Sequence, residues 1–435
     1  MARKYDADSI IVIESDREKV RKNPSMYVPD IYRNGYVHVC GELCSNSTDE
    51  LTVSGSVGSH LDVTFDVKTK EVSVADDGSG VPLEKLLDVL TKLAASGKFN
   101  NGTNSAYLTT AGRWGHGLKT AVFLSDHCEF TSMREGKFLR YYFKDGEMIK
   151  EEKGKSDKHG TYSKFHIDPK IIDSSEVTWE DLHDKLSDTS YLYPQLKITY
   201  TVLDGKKELK KFKYGGKDIE DRVKLWKPDT PVIRINESRK VTYLKSIADD
   251  KMTTEPVGID IVFAYKEDVL DADNKDDFIS YANGAKTYMG GSHVDGLKLG
   301  IQKYFKEQVI PKFKGKDKEM NVLPSDMTAG ICAFITVKVI SPIYMGQEKN
   351  QLSNQEVRFA VRDAVYEFLC DAKNNITNPM VEFVKRVTKG RMASKKVRKK
   401  DVSNTFSKDR LDKFKDIVQN LDTVAPELLL VEGFE

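Results

Sequence analysis

Three glycines in six residues, Gly112-Arg-Trp-Gly-His-Gly117, run directly into the apolar segment Leu118-Lys-Thr-Ala-Val-Phe-Leu124. Glycines that feed a helix N-terminus leave backbone amides free to converge on an anion, and the helix dipole adds to their pull. The chain must therefore fold so that this helix start is presented to a ligand. A P-loop, G-x-x-x-x-G-K-[ST], is the obvious candidate. Gly117-Leu-Lys-Thr120 has one residue too many between glycine and lysine, which turns Lys119 about 100° from the required direction. No strand clearly feeds the loop either, so the P-loop is rejected.

Upstream, Val37 to Leu51 reads as a helix with Val39, Cys40, Leu43 and Cys44 on one apolar stripe. Glu42 and Asn46 then fall one turn apart on another face, with Asp49 and Glu50 following at spacings of three and four. A carboxylate and an amide so placed can hold a water and a hard cation together. The glutamate would serve as base and the amide oxygen as a ligand for Mg2+, which keeps most of its waters. On its own the pattern fits a solvated polar face better.

The remaining elements follow in order. Residues 1–20 form an N-terminal arm, in which Asp16 can cap a basic helical turn ending near Asn23-Pro24. Leu61, Val63, Phe65 and Val67 alternate with polar residues as a half-buried strand should, and a second strand, 72–74, ends in Asp76-Asp-Gly-Ser-Gly80. The glycines there permit a sharp turn and close approach of a ligand, and an aspartate could accept from the amino group of a base. Residues 86–93 read as helix, and the polar stretch 96–102 is long enough to act as a lid. Strands are expected at 128–132, 138–143, 161–167 and 193–203, then a basic segment at 206–213 and a boundary at Tyr214-Gly-Gly216. Past Pro228, strands are expected at 231–235, 241–244, 256–265 and 337–340, with helices at 297–309 and 354–370.

The chain has 435 residues, enough for two or three domains, and a net charge of +1, which by itself says nothing about nucleic acid. Between Val381 and Lys400, however, nine residues are basic and one is acidic. That density fits a phosphate-binding face or a solvated helix. No apolar run is long enough to span a bilayer, and the first residues lack the apolar core of a signal peptide. Cys40 and Cys44 are spaced like a metal pair but have no second pair, and are expected to be buried free thiols in a reducing cytosol. The last ten residues read as a buried strand cut short.

These segments, in this order, resemble the ATPase subunit of type IIA DNA topoisomerases over essentially the whole chain. Val20-Arg-Lys-Asn-Pro-Ser-Met-Tyr27 is similar to the family's R-K-R-P-G-M-Y element. Glu42 with Asn46, Asp76-Asp-Gly-Ser-Gly80, and Gly112 to Gly117 are similar to the three motifs of the GHKL nucleotide-binding fold. Those three would also fit a heat-shock chaperone, a mismatch-repair ATPase or a histidine kinase. Gly290-Gly-Ser-His-Val-Asp-Gly296 is similar to the family's G-G-T-H-x-x-G, Gln347-Glu-Lys349 to its Q-T-K loop, and Leu429-Leu-Val-Glu-Gly433 to the opening of its Toprim domain.

The resemblance implies an α+β chain. A GHKL (Bergerat) α/β sandwich at 21–220 is followed by a ribosomal-protein-S5-like transducer at 221–400 with a long C-terminal helix. Residues 401–435 would be a linker helix and the start of a truncated Toprim domain. Glu42 would be the general base and Asn46 the Mg2+ ligand. Asp76, with Thr161 beside it, would bind the adenine amino group, with Gly78 and Gly80 shaping the turn. Lys98 and the loop Gly112, Arg113, Trp114, Gly115, His116, Gly117 and Leu118 would cradle the phosphates of ATP. Lys349 with Gln347 would reach the γ-phosphate, and Tyr5 would reach the partner protomer's nucleotide.

The implied function is an ATP-hydrolysing dimerisation gate that captures a DNA duplex without regard to sequence. It would pair with the tyrosine-bearing, DNA-cleaving subunit in the cytoplasm of a bacterial or phage-infected cell. Lys385, Arg386, Lys389, Arg391, Lys395 and Lys396 would face the DNA. Ser45 stands where the family usually has Asp, Ser79 where bacterial enzymes have Arg, and Glu348 where it has Thr; Trp114 and His116 alter the glycine loop. These departures suggest a divergent enzyme, such as a phage one. A nucleotide-switched clamp with little hydrolysis, or another GHKL ATPase, is the alternative.

Overall fold

A computed structural model of the chain describes residues 15–93, 117–246, 251–267, 278–346 and 349–405. Helix α1 (Asp16–Lys22) takes Ser15 as its N-cap, so Asp16 is its first residue rather than its cap. The Asp16 carboxylate instead accepts the backbone amide of Leu93 at 3.1 Å. Val20 is fully buried in the first core, so this helix is part of the folded body and not of a free arm.

Helix α2 (Arg33–Thr52) is followed by β1 (His60–Asp66) and β2 (Glu71–Asp76), α3 (Leu86–Thr91) and α4 (Gly117–Leu124). Then come β3 (Ser125–Arg134), β4 (Lys137–Lys144), β5 (Glu147–Lys155), β6 (Gly160–Ile167), α5 (Trp179–Leu192), β7 (Lys197–Asp204) and β8 (Lys207–Tyr214). Together the strands make one sheet of order β5-β4-β3-β6-β2-β1-β7-β8. All its pairs are antiparallel except β1 with β7.

Among the described residues, helices cover one face of this sheet, and β2 accordingly alternates between half-buried and buried positions. On α2, Tyr36, Val39, Cys40, Leu43, Cys44 and Leu51 recur at helical spacing and fill the core beneath it. Cys40 and Cys44 are buried free thiols.

Two strands have no apolar alternation to announce them. The β5 sequence Glu-Met-Ile-Lys-Glu-Glu-Lys-Gly-Lys is half-exposed or exposed throughout, and β8 is the segment expected only to be basic. Both lie at the edges of the sheet, where lysines keep other strands from pairing. Helix α5 was not foreseen. Its start is marked by Thr178-Trp-Glu-Asp181, in which the Asp181 carboxylate accepts the Thr178 amide at 2.9 Å. The strand expected from 193 therefore begins only at Lys197.

Helix α6 (Ile219–Lys224) packs Ile219 and Val223 against the second sheet, alongside Val262, Ala264, Tyr281 and Phe334. That sheet contains β9 (Ile233–Ser246), β10 (Lys251–Tyr265), β11 (Phe278–Ala282), β12 (Ala285–Lys286) and, after α7 (Ser292–Tyr304) and α8 (Pro324–Thr328), β13 (Ile331–Val339). Its order is β12-β11-β13-β10-β9. The two strands expected at 231–235 and 241–244 are one continuous strand, β9. Helices α9 (Gln355–Asp371) and α10 (Asn374–Thr405) complete the described residues, and α7 and α9 pack Leu297, Ile301, Val361 and Val365 over the second core. No helix among the described residues is long and apolar enough to cross a membrane.

Candidate active site

Helix α2 supplies most of the site. Asp76, at the end of β2, is buried and faces it. Its Oδ2 accepts Ser47 Oγ at 2.7 Å and Thr161 Oγ1 at 2.5 Å, and its Oδ1 accepts the amides of Gly78 at 3.0 Å and Thr161 at 3.2 Å. Burial raises the Asp76 carboxyl above its ordinary value, against these hydrogen bonds. Thr161 lies opposite Asp76 in the β2–β6 ladder, so strand register brings the two together.

The turn after β2 is built so that nothing larger than glycine fits. A Cβ on Gly78 would lie 2.6 Å from Glu50 Cγ, and Gly80, at φ +72°, would place one 2.5 Å from the carbonyl of Met133. Glu50, on α2, accepts the Ser79 amide at 3.1 Å, which ties the turn to the helix. Ser47 and Glu50 thus position the Asp76 turn, a role that sequence reasoning did not assign to Ser47.

One turn before Ser47 and Asn46 lies Glu42. Its carboxylate Oε1 is 3.1 Å from Lys349 Nζ, and the two side chains are 17% and 11% exposed. Burial pushes the Glu42 carboxyl up, but the charges of Lys349, His38 and Lys185 outweigh burial and bring it down to about 2. His38, four residues earlier on the same helix, has its own value lowered, chiefly by burial. Sequence reasoning missed His38, although its spacing from Glu42 puts it on the same helix face.

The start of α4 closes against this pair. A Cβ on Gly117 would lie 2.4 Å from Glu42 Oε2. Leu118 follows it, half-buried, and packs on the first core. Asn46 presents its Nδ2 buried and without a hydrogen-bond partner. A buried, unpaired amide is costly in a folded protein and marks a place for a further ligand. Because the amide can be turned about, its oxygen can occupy the same direction. The donor set fits a hard cation of the Mg2+ type.

Lys349 lies 307 residues beyond Glu42 in sequence, and its placement explains the Gly290-Gly-Ser-His motif. The Lys349 backbone sits at φ +57°, a conformation of order 1 kcal/mol or more above the ordinary ones for a non-glycine residue. On either side of it the loop is pinned, by Met345 N to Gln351 O at 3.0 Å and Met289 N to Asn350 O at 2.9 Å. Leu352 N donates to Gly290 O at 3.2 Å and Ser292 N to Leu352 O at 2.8 Å. A Cβ on Gly291, at φ +131°, would lie 2.3 Å from Leu352 O. Only glycine lets this backbone approach, and the approach fixes the base of the loop.

Of the other expected site residues, Tyr5, Lys98, Gly112, Arg113, Trp114, Gly115, His116 and Gln347 lie outside the described residues. The basic stretch is on α10, and four of its residues are already paired. Lys385 lies 3.0 Å and Lys389 3.2 Å from Asp317, Arg386 lies 3.5 Å from Glu267, and Arg391 grips Asp326 at 2.7 and 2.8 Å. Lys395 is exposed. Lys396 is on the same helix, with its side chain outside the described part.

The comparisons with known proteins match both halves of this chain. Residues 37–178 match the family described as histidine kinase-, DNA gyrase B-, and HSP90-like ATPase, and residues 221–401 match DNA gyrase B. The type 2 topoisomerase B protein of Aquifex aeolicus is 30% identical over 408 residues, covering 91% of this chain and 48% of the relative. DNA gyrase B of Thermotoga maritima is 30% identical over 414 residues, covering 91% and 61%. The chain thus spans about half the length of these relatives.

Among solved structures, the 43K ATPase domain of Thermus thermophilus gyrase B, in complex with an aminocoumarin, matches with a TM-score of 0.59 and 22% identity, over 88% of this chain and 98% of that one. The topoisomerase IV ATP-binding domain of Francisella tularensis matches with a TM-score of 0.61 and 24% identity, over 86% and 97%. These two show the shared fold. The chain belongs to the gyrase B family of type IIA topoisomerases.

Proposed function

We propose that this chain is the ATP-hydrolysing dimerisation gate of a type IIA DNA topoisomerase. Two copies would close on ATP around a DNA duplex and work with a separate, DNA-cleaving subunit in the cytoplasm. The observation that carries this is the contact between Lys349 and Glu42, 307 residues apart in sequence, which links the second domain to the reacting centre of the first. In this reading Asp76, with Ser47 and Thr161, receives the adenine amino group. Asn46 would hold Mg2+, which when bound supplies charge neutralisation at the phosphates.

Glu42 would take the proton of the attacking water, with His38 beside it. A carboxylate held down to about 2 is a weak base, because proton-transfer efficiency follows basicity. When the γ-phosphate draws Lys349 away, Glu42 loses the neighbour that holds it down and gains basicity as substrate arrives. Hydrolysis would return the lysine and report the event to the second domain.

The test is Glu42→Ala, measured for ATP binding and steady-state turnover with and without DNA. Retained binding with turnover lost is the expected result, and unchanged turnover would sink the base assignment. Mass in solution with and without a non-hydrolysable ATP analogue tests closure. A chain that stays monomeric with the analogue bound counts against the gate.

A further inference from the structure

We propose that the open face of the first sheet carries a second metal site, for a divalent transition ion of the Zn2+ class, made by Asp126, His127 and His166. It depends on none of the residues of the nucleotide site. In a regular strand, neighbours such as Asp126 and His127 point to opposite faces. Here the β3–β6 register shifts between Ser125 and His127, and this bulge leaves Asp126 without a partner on β6. The bulge re-aims the carboxylate toward the imidazole next to it. His127 lies directly opposite His166 on β6. Their rings stack with centroids 4.8 Å apart and 18° between planes.

The outcome is convergence. Asp126 Oδ1 lies 2.7 Å from Nδ1 of His127 and 2.7 Å from Nδ1 of His166. One carboxylate oxygen and one ligand atom from each of the two histidines fall within 4.8 Å of one another. Zinc bonds of about 2.0–2.2 Å in tetrahedral array separate ligand atoms by roughly 3.3 Å, so the two carboxylate–imidazole distances would each open by about half an ångström. The metal would displace the protons now shared between Asp126 and the imidazoles.

The neighbours set limits on the site. Glu71, opposite His166 on β2, places Oε1 3.4 Å from His127 Nε2, but Lys164 holds that oxygen at 2.7 Å. Three protein ligands with the fourth position left to water is an open site. Imidazoles favour zinc, nickel or copper over magnesium. His127 is 57% exposed, so an ion can enter from solvent. Thr161, in the nucleotide site, is five residues from His166 along β6, about 17 Å away.

The experiment uses the full chain freed of any affinity tag, with the exposed thiol of Cys370 alkylated first. Co2+ is the spectroscopic probe and Zn2+ the competitor. One equivalent of Co2+ should bind with visible d–d absorption, be displaced by Zn2+ and be indifferent to millimolar Mg2+. His127→Gln and His166→Gln should each weaken binding at least about tenfold, the lower end of what losing even an outer partner of a ligand costs. Undiminished affinity in the double variant, or no binding by the parent chain, overturns the site. A readout on the parent chain covers the case in which a variant fails to fold. Zn2+ should protect His127 and His166 from acylation by diethyl pyrocarbonate, and equal labelling with and without Zn2+ overturns the proposal as well.

Discussion

Lys349 Nζ lies 3.1 Å from Glu42 Oε1, a contact that joins a loop of the second domain to the central helix of the first. Both partners are largely shielded from solvent, so each is costly to leave alone. A ligand that offers Lys349 a better anion changes the state of Glu42 at the same moment. Lys349→Ala should therefore keep nucleotide binding while turnover falls by about 10²-fold or more, as losing one charge-stabilising donor commonly does. Rapid-quench measurement of single-turnover hydrolysis checks this, and a normal burst in the variant would refute the coupling.

Gly117, the first residue of α4, meets Glu42, the base in the function proposed above. A methyl group there would sit 2.4 Å from Glu42 Oε2, and the carboxylate must swing away to admit it. Gly117→Ala should fold normally yet lose about tenfold to a hundredfold in kcat, since misplacement of about 1 Å costs that much. Circular dichroism and steady-state kinetics separate the two effects.

Asp76 already accepts four hydrogen bonds, two of them from hydroxyls that can rotate. Asp76→Asn replaces one acceptor by a donor facing Ser47 or Thr161. Nucleotide affinity should fall by about 1.5–3 kcal/mol, the range for a hydrogen bond to a charged group. Calorimetric titration with a non-hydrolysable analogue measures it.

His293 gives the chain a pH dependence that can be signed in advance. Burial brings its imidazole down from 6.5 to about 3. The unfolded chain then takes up this proton first as pH falls, so the stability is complete above 6.5 and erodes from 6.5 toward 3. Between pH 6.5 and 5 the loss from this group is about 2 kcal/mol. His293→Gln should flatten that part of the urea-midpoint profile, and an unchanged slope would remove His293 as its source.

Arg391 and Lys395 should behave oppositely. Asp326, whose side chain is 3% exposed, depends on Arg391 for two contacts, so Arg391→Ala should destabilise the chain by about 3 kcal/mol. Lys395→Ala should leave stability unchanged and lower the salt slope of DNA binding by about one if it meets a phosphate. Thermal melts and binding isotherms at several salt concentrations check both.

The parts of this fold that could be read in advance are those where burial imposes a period. The alternation in β1 and β2 and the apolar stripe of α2 are forced by packing on one face only. The charged strands β5 and β8 escaped because an edge strand exposed to water has no period to show. The helix α5 did carry a signal, Thr178 and Asp181, that an apolar run further on outweighed. Spacing and neighbouring glycines marked Glu42, Asn46 and Asp76 as candidates, but the roles assigned to them came from the family resemblance. Ser47 and the bracing of the Lys349 loop by Gly291 were not marked, because they depend on which segments meet across the fold; His38 was overlooked although it lies one turn from Glu42 on α2. The paired state of Lys385 to Arg391 was hidden for the same reason, since Asp317 and Asp326 lie more than sixty residues upstream.

The charged strands at the two rims of the first sheet bear on how copies of this chain can meet. Strand continuation from one copy into the next would stack lysine rows of β8 against one another, or rows of β5 with their mixed charges far from any apolar cover. Such growth would be open-ended and hard to reverse. With those rims closed to it, the nucleotide-driven closure proposed above would have to use other surfaces, and association would then be a timed event instead of a standing property of the sheet.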